Sequence, residues 1–140
     1  MSLRLPVGSI TVLLGPSLAR HRVMNALDES SGTCRSDHAV DVCRLRADRD
    51  EDVAARLETL DAVRRGSASV VLVDRFTDGL SACERRAVLA RLQDVAAGRV
   101  VLVHDADPVA ALAVAGGAVR IDRTGGLVFE PIDDLGYLAS

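Results

Sequence analysis

Three short aliphatic runs, Ile10 to Leu14, Val70 to Val73 and Val100 to Val103, each stop abruptly at a glycine or an ionisable side chain. They are too short for helices and lack the alternation of a strand with one wet face, which marks them as strands covered on both sides. Between them lie longer stretches in which apolar residues return every three or four positions, as at Val53, Leu57, Leu60 and Val63. That is the period of an amphipathic helix. A chain alternating in this way is confined to the α/β class: a three-layer sandwich with a mostly parallel sheet and right-handed crossovers.

Composition agrees with that core. Hydrophobic residues make up 49% of the 140 residues but aromatics only 2%, so the interior is built from Val, Leu, Ile and Ala, as in a buried parallel sheet. The length suits one domain, residues 1–140, with no disulfide or metal needed to hold it. A net charge of −3 argues against a nucleic-acid partner recruited by overall electrostatics. Three cysteines, an odd number without an export signal, indicate unpaired thiols in a reducing, cytoplasmic setting. The run from Val109 to Val119 contains two glycines and falls short of the ~20 residues of a membrane span, so no direct membrane insertion is expected.

Local signals place the other elements. A helix is expected from about Ala19 to Leu27, loop chemistry over Glu29 to Asp37, and a strand over Ala39 to Leu45. The helix from Asp50 ends in Arg64-Arg65 and stops at Gly66, a charge order that suits the helix dipole. Ser81 with Glu84 forms a capping box for a helix running to about Ala97, and Asp107-Pro108 starts a short one reaching about Ala115. Ala118 to Asp122 and Leu127 to Glu130 flank Thr124-Gly125-Gly126 and read as a C-terminal β-hairpin.

Ligand sites in such sheets lie beyond the carboxyl ends of the strands. Here those positions hold Gly15 to Arg22, Asp74 to Asp78 and His104-Asp105. A helix N-terminus carrying Arg20, His21 and Arg22 favours an anion, the alternative being a solvated basic turn. Asp74 and His104 also suit plain structural roles, as acceptor and hydrogen-bonded partner at strand ends. Cys34, His38 and Cys43 match no compact zinc-ligand spacing, so no metal is expected. Cys83, on a helix beside Glu84 and Arg85, reads as inert; pairing with His104 as a nucleophile would require contact in space.

Taken in order, these clusters resemble the nucleotide-binding domain of ATP-binding cassette (ABC) ATPases. Gly8 to Ser17 is similar to the strand and entry of the Walker A loop, and Val70 to Asp74 to Walker B. Thr77 to Ser81 resembles the D-loop, Val101 to Asp105 the strand of the switch histidine, and Val119 to Val128 the hairpin closing the family's core. The resemblance implies a P-loop fold. It also exposes what has changed. All 17 Lys+Arg residues are arginine, whereas the family's loop, G-x-x-G-x-G-K-S/T, uses lysine and a magnesium-binding hydroxyl to hold the phosphates.

In this chain Gly15 and Ser17 remain, Leu18 and Arg20 take the later glycine positions, His21 stands for the lysine and Arg22 for the hydroxyl. A side chain at a left-handed glycine position costs ~1 kcal/mol or more. Arg75 follows Asp74 where the family carries its catalytic glutamate, and a guanidinium accepts no proton. Only 42 residues separate Leu27 from Val70, too few for the family's glutamine loop and signature-bearing helical subdomain.

The expected function is therefore a non-catalytic, ABC-like pseudo-ATPase serving as a protein-interaction or regulatory module, in a homodimer or an ABC-type complex. Its vestigial nucleotide face would comprise Gly15, Ser17, Arg20, His21, Arg22, Asp74 and His104, with no required cofactor. The alternative is a regulator that binds ATP or phosphate without hydrolysing it.

Overall fold

The computed structural model describes residues 5–30 and 41–132. Its elements run β1 (Ile10–Leu14), α1 (Ser17–Ser30), β2 (Val42–Leu45), α2 (Val53–Arg65), β3 (Val70–Asp74), α3 (Ala82–Val95), β4 (Val100–His104), α4 (Pro108–Leu112), β5 (Gly117–Ile121) and β6 (Leu127–Pro131). They form one six-stranded sheet in the order β2-β3-β4-β1-β5-β6. Every neighbouring pair is parallel except β5 and β6, which make the expected antiparallel hairpin.

Strand parity divides the core into two layers. Ile10, Val12, Val71, Val73, Val101 and Val103 point to one face and pack with Leu60 of α2, Val88, Leu89 and Leu92 of α3 and Ala111 of α4. Leu13, Leu72, Leu102 and Val119 point to the other, against Val23 and Met24 of α1. Because both faces are covered, the central strands are mostly aliphatic where they pack, with Thr11 the buried exception in β1; burial of each aliphatic side chain contributes about 1.5–3 kcal/mol. The three layers are those expected from the alternation.

Caps account for most of the boundaries. Ser81 accepts from the Glu84 N–H while Glu84 reaches back to the Ser81 N–H, the predicted capping box. Asp107 caps α4 ahead of Pro108. The second helix starts later than Asp50, because the Asp52 side chain accepts from the Ala55 N–H and sets the N-terminus there. Helix α4 ends at Leu112, short of Ala115, and α3 at Val95.

The largest boundary correction is in α1, which spans Ser17–Ser30 where Ala19 to Leu27 was expected. Leu18, Ala19 and Arg20 are good helix formers, and the Arg20 N–H already closes a helical bond of 3.0 Å onto the Pro16 carbonyl. At the other end Glu29 and Ser30 belong to the helix rather than to a loop. The remainder of that loop, with Cys34 and His38, and the start of the expected strand at Ala39 lie outside the described residues.

Candidate functional site

The carboxyl ends of β3 and β4 stand side by side, with Asp74 directly opposite His104 in the sheet register. Both point to the α1 side of the sheet, sharing parity with Leu72 and Leu102, and both are buried, at 3% and 2% exposure. His104 Nδ1 lies 3.0 Å from Asp74 Oδ1. An ionised carboxylate only accepts, so Nδ1 carries the proton in this contact.

The other carboxylate oxygen is taken by strand β2 and the residue just beyond it. Arg44 donates to Asp74 Oδ2 from Nη2 at 2.6 Å and from Nε at 3.2 Å, and Arg46 donates from Nε at 3.1 Å. Arg44 also reaches Asp28 on α1, at 3.3 Å. The register explains the meeting. Arg44 pairs with Leu72 and Leu45 with Val73, so side chains two apart on β2 project to the same face as Leu72 and Asp74. Burial pushes the Asp74 carboxyl up, but the hydrogen bonds from His104, Arg44 and Arg46, with the charge of Arg44, outweigh it and hold the group well below the usual carboxylate range.

Arg75, next along, has a left-handed backbone at φ 53°, which is rare for a residue with a side chain. Its N–H donates to the His104 carbonyl at 2.7 Å, which ties the turn to β4. Its guanidinium turns back to Asp78, at 2.9 Å. A cavity of about 330 Å³ opens beside this turn, lined by His21, Arg46, Ala47, Arg49, Asp74, Arg75 and Asp78.

The positions following β1 are dispersed around α1. Gly15, at φ 140°, lies against Ile121, where a β-carbon would come within 3.1 Å. Ser17 is exposed in the first turn. Arg20 sends Nη1 to the Asp105 carbonyl at 2.9 Å, His21 faces the cavity beside Asp74, and Arg22 faces a separate hollow with Ala19, Val23, Ala26, Ile121 and Gly125. Of the seven residues expected to form one face, Asp74, His104 and His21 come together, and Arg22 stands apart from them.

Three contributors were missed. Arg44 and Arg46 left a faint signal in the sequence, two arginines at strand spacing. Arg56 left none: it reads as a polar position of α2, yet it is 0% exposed. It donates to the carbonyls of Glu51 (3.0 Å), Phe76 (3.1 Å), Asp78 (2.6 Å) and Asp48 (2.9 Å). This clamp joins the segment after β2 to the segment after β3, the two walls of the cavity.

Neighbouring polar groups are equally engaged. Thr77 donates to Asp105 Oδ2 at 2.7 Å and accepts from Arg85 Nε at 3.2 Å, while the Asp107 N–H donates to Asp105 Oδ1 at 2.8 Å. Cys83 is exposed on α3, across the sheet from His104. Burial, followed by the nearby Asp41 and Asp28 carboxylates, pushes the Cys43 thiol up, so it is a poor nucleophile. Among the described residues no group of three or more His, Cys, Asp or Glu side chains could hold a metal ion. No described helix is long and apolar enough to cross a membrane.

No family model and no curated protein sequence matches this chain. Solved structures do. CbiO1 from Clostridium perfringens, part of the ABC transporter complex cbiONQ, is similar with a TM-score of 0.60 at 10% identity, over 98% of this chain and 82% of that one. An ATP-binding subunit of an ABC transporter gives 0.59 at 10% identity, over 98% and 84%. Archaeal ribosome recycling factor aABCE1, solved with the ribosomal stalk protein aP1, gives 0.51 at 13% identity, over 89% of this chain and 34% of that one. The chain has the fold of an ABC-type nucleotide-binding domain.

Proposed function

We propose that this chain is a catalytically inactive ABC-like domain, kept as a cytoplasmic protein-interaction or regulatory module. The observation that carries the reading is the state of Asp74. A Walker B aspartate works by offering a carboxylate to magnesium and its water. In this chain both oxygens of Asp74 are occupied by His104, Arg44 and Arg46, so guanidinium charge stands where a metal would be held. Two further features support it. Helix α1 begins at Ser17, which commits the Arg20 N–H to the Pro16 carbonyl instead of to a phosphate oxygen. Arg75 occupies the position of the glutamate that polarises water.

A fold that outlives its chemistry is retained for its surface. The similar structures include one described as part of a transporter complex and one solved with a ribosomal protein, and assembly with a protein partner, as a homodimer or in an ABC-type complex, is the function class that fits. Leu18 and Val109, both strongly exposed at the first turns of α1 and α4, provide apolar contacts at the carboxyl end of the sheet.

The test is ATP turnover by the purified chain together with calorimetric titration of ATP with and without magnesium. No turnover and no magnesium-dependent gain in affinity are expected. Phosphate release that disappears in Asp74→Asn would overturn the proposal. The interaction half is tested by sedimentation of the chain alone and mixed with an ABC-type ATP-binding subunit; a monomer that binds none refutes that half.

A further inference from the structure

The cavity beside Asp74 has a charge pattern that loss of catalysis does not explain. Three guanidinium groups, those of Arg46, Arg49 and Arg75, and the imidazole of His21 line it, against the two carboxylates of Asp74 and Asp78. The carboxylates are already engaged: Asp74 with His104, Arg44 and Arg46, and Asp78 with Arg75. The arginines are not used up. Arg46 meets Asp74 through Nε at 3.1 Å and Arg75 meets Asp78 through Nε at 2.9 Å, so the terminal nitrogens of both remain without a protein partner among the described residues. Arg49 makes no ion pair among the described residues and is exposed.

The walls are held in place. Fully buried Arg56 ties the carbonyls of Asp48 and Glu51, which flank Arg49, to those of Phe76 and Asp78, which follow Arg75. Gly79 packs onto the same segment, where a β-carbon would stand 3.0 Å from the Arg49 carbonyl oxygen. Arg75 is held in a left-handed conformation, φ 53°, of the kind that persists only where surrounding structure over-determines it and that clusters at ligand clamps. Fixed backbone, free guanidinium donors and a formal excess of one positive charge describe a receptor for a small oxyanion, since planar N–H forks match phosphate oxygens in pairs.

We propose that this cavity binds a phosphate group without metal, held by Arg49, the terminal nitrogens of Arg46 and Arg75, and His21. The site lies between the carboxyl ends of β2 and β3. It differs from the loop after β1, whose Arg20 and Arg22 were the candidate ligands from sequence and whose side chains point elsewhere. The group would be inorganic phosphate or the phosphate of a nucleotide, which share this chemistry.

The experiment is calorimetric titration of the full chain in EDTA with inorganic phosphate, AMP and ATP, repeated with Arg49→Gln. Arg49 makes no ion pair or side-chain hydrogen bond among the described residues, so the variant keeps the fold; a thermal melt confirms it. Binding in EDTA that weakens about tenfold in Arg49→Gln, and weakens with added salt, is the expected result. Equal affinity for phosphate and AMP identifies the free anion as ligand, and tighter nucleotide binding with the same Arg49 dependence identifies the nucleotide. Absence of binding at millimolar phosphate and nucleotide, binding that requires magnesium, or binding indifferent to Arg49→Gln would each overturn the proposal. ATP turnover would refute the inactive reading and leave this one standing, because the site is read in the absence of metal.

Discussion

Replacing Arg56 with methionine keeps the length and apolar contacts of the stem while removing every donor from a side chain that is 0% exposed. Four backbone carbonyls lose the guanidinium donor, those of Asp48, Glu51, Phe76 and Asp78, although the Asp48 carbonyl keeps the Glu51 N–H. Three of them belong to residues at the surface or partly exposed, where water can take over after a small shift. Phe76 is fully buried, and its carbonyl has no such recourse. An unsatisfied buried acceptor costs about 1–3 kcal/mol, and loosening two loops that a charged fork held together adds to it. The sum is roughly 3–5 kcal/mol, in the range for removing one member of a buried charged arrangement.

An apolar replacement is often harmless when both members of a buried pair change together, but here the partners are backbone and cannot be replaced. For a domain of this size the loss should lower the melting temperature by roughly 10–15 °C. Chemical denaturation should show the midpoint falling with an unchanged slope, as expected if the folded state alone is affected. Arg56→Lys is the informative companion: it keeps the charge but cannot span four carbonyls, and it should recover only part of the loss. If Arg56→Met lies within about 1 kcal/mol of the parent, the clamp is not what holds the two loops.

Two further outcomes follow from the same geometry. Asp74→Asn should cost about 3 kcal/mol at neutral pH, because Arg44 and Arg46 lose their common carboxylate. The carboxyl of Asp74 is held below its unfolded value of about 3.9, so its contribution is complete above that value and is lost as pH falls through it toward the folded one. Urea titrations of parent and variant should therefore differ most at neutral pH and converge only below about pH 4; a gap that widens in acid refutes the pairing. At Arg75, glycine and alanine both delete the guanidinium, and their difference isolates the backbone. Arg75→Gly should melt higher than Arg75→Ala, by about 1 kcal/mol of stability, because only glycine adopts φ 53° without strain. Equal melting temperatures would mean that the turn relaxes.

Local chemistry was sufficient for most of the scaffold. The aliphatic runs became β1, β3 and β4, the Ser81–Glu84 box and the Asp107-Pro108 start held their helices, and the terminal glycines closed the hairpin. Each depends on residues within a few positions of one another, and sequence spacing reports such contacts directly. Where a boundary moved, a local competitor had gone unweighed: the helix preference of Leu18 to Arg20 extended α1 to Ser17, and Asp52 rather than Asp50 capped α2.

The candidate site follows the opposite logic. Asp74 meets Arg44 and Arg46 across 30 and 28 residues, and Arg56 reaches Phe76 and Asp78 across 20 and 22. Apart from the strand spacing of Arg44 and Arg46, nothing along the chain distinguishes these arginines from the other fourteen of the 17, because a guanidinium acquires its role from the carboxylates and carbonyls that folding brings within hydrogen-bond reach. Hydrophobic period and capping dictated the layers of this protein. Strand register, which places β2 beside β3, decided which charges are neutralised and which are left facing solvent.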